Sequence, residues 1–265
     1  MKEFKIITIK GPNNNEVSFC PERGGIVTSL KLKGTEIFYL DEETFQNKNE
    51  NIRGVIPILF PNMGELKNES IYPKLKRHGF ARDLVWITEE IDKGFKEVLC
   101  SNKETKKIFP FDFKFSNEGL FENDGTFTLT QEILNKEGEK EMPISMGLHP
   151  YFKVPSGEKK NIKFNFEGGK YIEEQINSWG NGETIYIDNP KVINIEEVLE
   201  IDIPTLGTLI IDISAIYKKI WIWSMPGKDF ICIEPSMGIQ NGIIDSPFMI
   251  ELNGKFKAIM SIKLK

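Results

Sequence analysis

Alternation at a period of two dominates this chain. The stretches "FKIITI" (4–9), "EVSFC" (16–20), "TFTLTQEIL" (126–134), "NIKFNF" (161–166), "TLIIDI" (208–213), "KIWIWS" (219–224) and "KAIMSIKL" (257–264) alternate apolar with polar residues or run apolar over strand lengths. Successive side chains of an extended strand point to opposite faces, so each stretch presents an apolar face that a second layer must cover. No stretch holds a helical i, i+3, i+4, i+7 pattern for three turns, and "DEETFQNKNE" (41–50) predicts a short surface helix at most. Turn-forming clusters at 12–15, 24–25, 123–125, 168–169, 180–182 and 253–254 punctuate the strands. Strands recurring at such intervals predict an all-β fold, an antiparallel sandwich or barrel. Nineteen Phe suit the space between packed sheets. No linker, composition break or internal repeat divides the chain, so a single domain over 1–265 is expected.

Two segments break the alternation. Residues 52–81 read "IRGVIPILFPNMGELKNESIYPKLKRHGFA", with Pro57, Pro61 and Pro73 interrupting apolar runs. Proline removes a ladder donor, which predicts irregular backbone or edge strand, here dense in Arg, Lys and His. Irregular segments carried by a rigid β scaffold are where sites tend to lie. The second is "DFICIEPSMG" (229–238), in which an apolar strand ends in Glu234. "FICI" shows no polar alternation, so that strand is expected to be covered on both faces. A carboxylate at its end is then partly desolvated, with its pKa raised toward the range useful to a general base.

The chain has only two histidines, His78 in "RHGFAR" and His149 in "GLHPYF". Each has an ordinary reading: His78 as a turn histidine bonded to backbone, His149 as a satisfied core histidine. Glu234 could equally point to solvent as its strand exits. The sequence contains no GxGxxG, Walker, HExxH or GxSxG motif. No two of the histidines and Glu234 have close ligand spacing, so neither a metal nor a cofactor is expected. What remains is acid–base chemistry without a cofactor.

Bulk properties remove other classes. A net charge of −5 with both signs interleaved lacks the basic footprint of a nucleic-acid binder. No apolar run approaches the roughly 18 residues of a membrane span, and "MKEFKIITIK" is too short and too charged for a signal peptide. Cys20, Cys100 and Cys232 lie far apart without a CxxC pair, so no disulfide framework or zinc site is indicated. A cytoplasmic protein with reduced thiols is expected, and the sequon at 68–70 carries no weight there.

Four separated motifs, "IRGVIPILFPNMGELKN", "RHGFARDLVW", "GLHPYF" and "CIEP", resemble in order and spacing the aldose 1-epimerase (mutarotase) family, most closely its bacterial branch. "PERGGIVTSLKLKGTEIFYL" (21–40) is also similar to that family's N-terminal strands. The resemblance implies a large antiparallel β-sandwich of the galactose mutarotase-like kind, with a sugar cleft across one face. It implies Glu234 as the base that removes the anomeric O1 proton and His149 as the acid that protonates the ring oxygen. His78 and Arg53 would hold the sugar, and Arg82 would support it or contact an anion. The implied partner is a small-molecule sugar, a free hexose first. A hexose 6-phosphate is the alternative, because Arg53, Lys67, Arg77 and Arg82 could gather round a phosphate. A non-catalytic sugar-binding protein on the same fold is the third reading. "EPSMGIQNGIID" departs from the Trp and Arg that relatives carry after Glu-Pro. Neither Asp188 nor Glu174 can be assigned as the family's sugar-binding aspartate. Trp179 and Phe80 could stack on a sugar face or simply pack in the core.

Overall fold

The computed structural model describes residues 4–67, 71–89, 91, 94–178 and 184–265. Among them the alternating stretches become strands of an all-β sandwich. The largest layer is an eight-stranded antiparallel sheet, ordered Lys163–Phe164, Leu199–Ile203, Gly207–Ile213, Lys255–Leu264, Phe127–Asn135, Phe113–Phe121, Gly94–Cys100 and Ile87–Glu89. Along Phe127–Asn135 every odd-numbered residue is buried and every even-numbered one partly exposed, as a half-covered strand requires.

The second large layer has six strands. Ile185–Asp188, Lys219–Trp223, Phe230–Ser236, Gly147–Leu148 and Ile58–Leu59 follow one another, and Tyr151–Lys153 also pairs with Phe230–Ser236. The two layers meet through aromatic rings. Phe60 lies 5.1 Å from both Phe113 and Phe115, ring centre to ring centre, in a core that runs from Phe4 to Leu264. A four-stranded sheet, Ile7–Lys10 to Thr35–Glu36, closes one side by stacking Phe19 on Phe95 at 4.3 Å. Such ring pairs add roughly 0.5–1.5 kcal/mol beyond the area they bury.

All seven residues of Phe230–Ser236 are buried, the environment that "FICI" announced. The strand does not stop at Glu234, however. It continues through Pro235 and Ser236, so the carboxyl group belongs to the strand's interior and not to its exit. Gly147 stands opposite Ser236, where an added Cβ would meet the Pro235 carbonyl at 2.7 Å. Glycine there lets the two backbones close, which delivers His149 two residues later beside Glu234.

The helices are few. Glu42–Gln46 is capped by Asp41, whose side chain accepts the Thr44 N–H at 3.1 Å. It is less superficial than expected, because Phe45 is fully buried. Gly169–Ser178 is a ten-residue helix that the periodicity did not flag. Its buried residues Ile172 and Ile176 make one i, i+4 pair, too short a seam to read as three turns. Among the described residues no helix is long and apolar enough to cross a membrane.

One buried group works against the core. Glu97 lies within Gly94–Cys100, fully buried, with neither carboxyl oxygen hydrogen-bonded among the described residues. Burial pushes its pKa up to about 8. Its cross-strand neighbour Asn117 keeps an unpaired side-chain oxygen, a natural acceptor for a protonated carboxyl group. The folded protein therefore holds a proton that the unfolded chain releases near pH 4.5. Stability falls as pH rises from there toward 8, by at most about 1.4 kcal/mol per pH unit from this group. Glu97→Gln should remove that loss. Urea unfolding should show the variant gaining on the wild type as pH rises from about 5 to about 9, and a constant difference would exclude a neutral Glu97.

Candidate active site

Three backbone crossings converge on Glu234. Its own strand is held by Lys219–Trp223 on one side, with Trp221 opposite Glu234. On the other side the 147–153 segment is clamped to the proline-rich stretch, His149 N–H donating to the Pro57 carbonyl at 3.1 Å and Tyr151 N–H to the Val55 carbonyl at 2.9 Å. His149 Nε2 stands 3.4 Å from Glu234 Oε1, with both side chains at least nine-tenths buried. The Tyr151 ring stacks on His149 at 4.7 Å, and Trp223 meets it edge-on at 5.9 Å.

His78 reaches the same place, its ring 5.7 Å from that of His149 and nearly perpendicular to it. Val55, with φ +58°, His78 with +68° and Gly79 with +70° all lie in the left-handed region. For a β-branched residue such as Val55 this is a true outlier, and such strain clusters where the surrounding fold imposes a site. Gly79 has no alternative, since a Cβ there would overlap the Phe60 carbonyl.

The ring nitrogens of His78 are both spent. Nδ1–H donates to the Met63 carbonyl, and Nε2 accepts from Arg77 Nε at 3.1 Å. That pattern belongs to neutral imidazole. Burial, with Arg82 and Arg77 adding repulsion, lowers its pKa to about 3. Burial also depresses His149 well below the usual imidazole value, reinforced by His78 and Arg82. The Glu234 carboxyl is pushed well above the carboxylate range by burial, with Arg77 opposing. These opposite shifts both favour the uncharged forms, a carboxylic acid beside a neutral imidazole, and the two groups titrate as a pair.

The dyad forms the floor of a cleft of about 710 Å³, also lined by Arg53, Lys76, Arg77, Arg82, Asn51, Asp83, Tyr151, Trp221 and Trp223. Arg82 is buried. It donates one Nη2 bond to Asn51 Oδ1 at 3.0 Å and leaves a buried Nε without a hydrogen-bond partner among the described residues. Arg82 borders the cleft, while that Nε is itself shielded from it. Arg53 is exposed in the cleft wall, its backbone N–H tied to Thr44 Oγ1 at 3.0 Å. Among the described residues one group could hold a metal: His149, Cys232 and Glu234, whose ligand atoms lie within 4.8 Å of one another.

All five candidates taken from the motifs therefore border one cleft. Lys76 takes the place expected of Lys67, whose exposed side chain is not in the lining. Phe80 packs against Phe60 and Phe113 in the core. Asp188 pairs with Lys219, Glu174 is exposed on its helix, and neither lines the cleft. Trp179 lies outside the described residues. Tyr151, Trp221, Trp223, Lys76 and Asn51 were not singled out. The i, i+2 spacing of Trp221 and Trp223 in "KIWIW" was the available signal that both face one side.

The sequence profile of the family described as Aldose 1-epimerase matches residues 5–206. Protein LacX, plasmid, of Lactococcus lactis subsp. lactis is 32% identical over 260 residues, covering 83% of this chain and 84% of its own. A putative glucose-6-phosphate 1-epimerase of Cenchrus ciliaris is 30% identical over 143 residues, 49% of this chain and 42% of its own. The crystal structure of the Slr1438 protein from Synechocystis sp. PCC 6803 superposes with a TM-score of 0.85 at 26% identity, covering 99% of this chain and 96% of the other. The chain belongs to the aldose 1-epimerase family, a family of sugar-converting isomerases.

Arg23, from "PERGG", carries the cleft wall without touching the cleft. Its buried guanidinium donates four hydrogen bonds to the carbonyls of Thr44, Phe45, Asn47 and Glu50, capping the Glu42–Gln46 helix and the loop leading to Asn51 and Arg53. A lysine cannot reproduce that fork. Arg23→Lys should cost about 1–3 kcal/mol by urea unfolding. Amide exchange should quicken over 44–51 and stay slow in Phe230–Ser236, and equal acceleration of both would rule out a local role.

Proposed function

We propose that the protein interconverts the α and β anomers of an aldohexose, with Glu234 and His149 as its base and acid. The contact that carries the proposal is the 3.4 Å approach of His149 Nε2 to Glu234 Oε1 on the floor of an open cleft. Anomer exchange needs one proton taken from O1 and one given to the ring oxygen O5. The C1–O5 bond breaks, the aldehyde rotates about C1–C2, and reclosure returns both protons. A dyad holding one proton matches this at each stage. As carboxylate and imidazolium it opens the ring; as carboxylic acid and imidazole it closes it, with no net charge gained by a buried site. Acid–base assistance of this kind supplies roughly 10²–10⁴-fold in rate.

The neighbours take supporting roles in this reading. With both nitrogens engaged, His78 has no polar atom left for the sugar and forms the wall that steadies His149. Hydrogen bonding to the sugar hydroxyls falls to Arg53, Arg77 and Arg82, and Trp223 offers an aromatic edge beside the dyad. A free hexose is the primary substrate. The gathering of Arg53, Lys76, Arg77 and Arg82 around one cleft favours a hexose 6-phosphate as the second reading. The likeness to a putative glucose-6-phosphate 1-epimerase adds to it.

Glu234→Gln and His149→Asn should each lower kcat by about 10²-fold or more in a folded protein, read by polarimetry on freshly dissolved α-D-glucose or α-D-galactose. A near-wild-type rate in either variant removes that residue from its role, and sugar binding without mutarotation on any aldose would favour the binding-protein reading. Activity should survive dialysis against a chelator. A kcat/KM more than about tenfold higher for hexose 6-phosphates than for free sugars, about 1.4 kcal/mol of transition-state binding, selects the second reading. That preference should collapse in Arg82→Ala and weaken as salt rises.

A further inference from the structure

We propose that the floor of the cleft is a binding site for a thiophilic divalent cation such as zinc, held by His149, Cys232 and Glu234, and that occupancy blocks turnover. Three donors of different chemistry meet there, and all three are buried. Cys232 and Glu234 are alternate residues of Phe230–Ser236, so both point from the same face of that strand. His149 comes from the segment between Gly147–Leu148 and Tyr151–Lys153, both of which are hydrogen-bonded to the same strand. Two of the donors thus sit on one strand, and the third on the two-residue connection between short strands that pair with it.

The spacing suits a small tetrahedral ion. Zinc bonds of about 2.0–2.2 Å at a tetrahedral angle set a nitrogen and an oxygen about 3.3–3.5 Å apart. His149 Nε2 and Glu234 Oε1 stand 3.4 Å apart. The sulfur completes a triangle whose longest edge is at most 4.8 Å, within reach of a side-chain rotation. His149 Nδ1 is buried without a hydrogen-bond partner among the described residues, so a small turn of the ring toward the ion breaks no bond at that nitrogen.

Two sides of the site decide what can enter. His149 and Glu234 line the cleft while Cys232 lies beneath them, so the fourth coordination position faces the opening and would carry a water. Arg77 and Arg82 border the same space and repel a cation. Binding therefore has to displace the thiol and carboxyl protons, giving two negative charges that a dication neutralises. A thiolate ligand selects zinc, cadmium or cobalt over magnesium or calcium. An ion at this position takes the lone pairs that the proposed proton transfers need. The blocking half rests on the acid–base reading above, whereas the binding half does not.

Cobalt(II) titration of the intact protein tests the binding half. One equivalent should produce thiolate-to-cobalt charge-transfer absorption, displaced by zinc and unaffected by magnesium. Calorimetry should show zinc affinity falling by at least about 100-fold in Cys232→Ala, more than the 10–100-fold lost with an outer partner of a ligand. His149→Asn should weaken binding as well, which keeps the test decisive if Cys232→Ala does not fold. Cys100→Ser, removing the exposed thiol, should change nothing. Mutarotation of the wild type should fall with added zinc and recover with chelator, while Cys232→Ala resists. A cobalt complex without the thiolate band, or a band that vanishes in Cys100→Ser, overturns the site. A normal band with undiminished turnover overturns the block alone, and a normal band in a protein that turns over no aldose refutes the anomerase reading while leaving the site standing.

Discussion

A carboxyl group buried in a strand covered on both faces is the constraint on which the rest of the structure depends. Left alone, a charged Glu234 would cost several kcal/mol in such surroundings. The fold meets that cost by sharing a proton. An imidazole held 3.4 Å away, itself depressed by burial, lets the pair remain neutral overall. Backbone brings the two groups together, through the absence of a Cβ at Gly147, the bonds from 149 and 151 to the proline-rich stretch and the register that sets Trp221 against Glu234. The rings of Tyr151, Trp223 and His78 pack round the imidazole. A dyad built this way gives up little entropy when a substrate arrives, because the backbone that carries its members is already held in place.

The cationic wall is built on a different principle. It belongs to irregular backbone, so it is held by side chains and strained residues instead of ladder hydrogen bonds. Arg23 ties down the carbonyls of the segment leading to Asn51 and Arg53. Arg77 and the Met63 carbonyl lock His78 between them. In the proposed reading, a floor held by sheet pairing and a wall supported side chain by side chain would separate chemistry from recognition.

The same economy explains the contrast between two buried glutamates. Glu234 opens onto a cleft and has an imidazole beside it, where the proposed reaction would use its raised pKa. Glu97 is buried apart from that cleft, and its cross-strand neighbour Asn117 is an amide. The first is placed to exchange its proton and the second to keep it.

Much of this was legible in the chain alone. Period-two alternation determined the all-β class, because a strand half-covered by a second layer can be written in few other ways, and the unbroken apolar run before Glu234 announced burial on both faces. Short motifs singled out His78, His149, Glu234, Arg53 and Arg82. What no local pattern could supply was distance. Eighty-five positions of sequence separate His149 from Glu234, and only sheet pairing brings them together. The occupation of both His78 nitrogens, the lone Nε of Arg82 and the meeting of Cys232 with the dyad were likewise decided by tertiary structure. Hydrogen bonds and ligand geometry depend on where side chains from different strands end, and residue order along one strand carries no record of that.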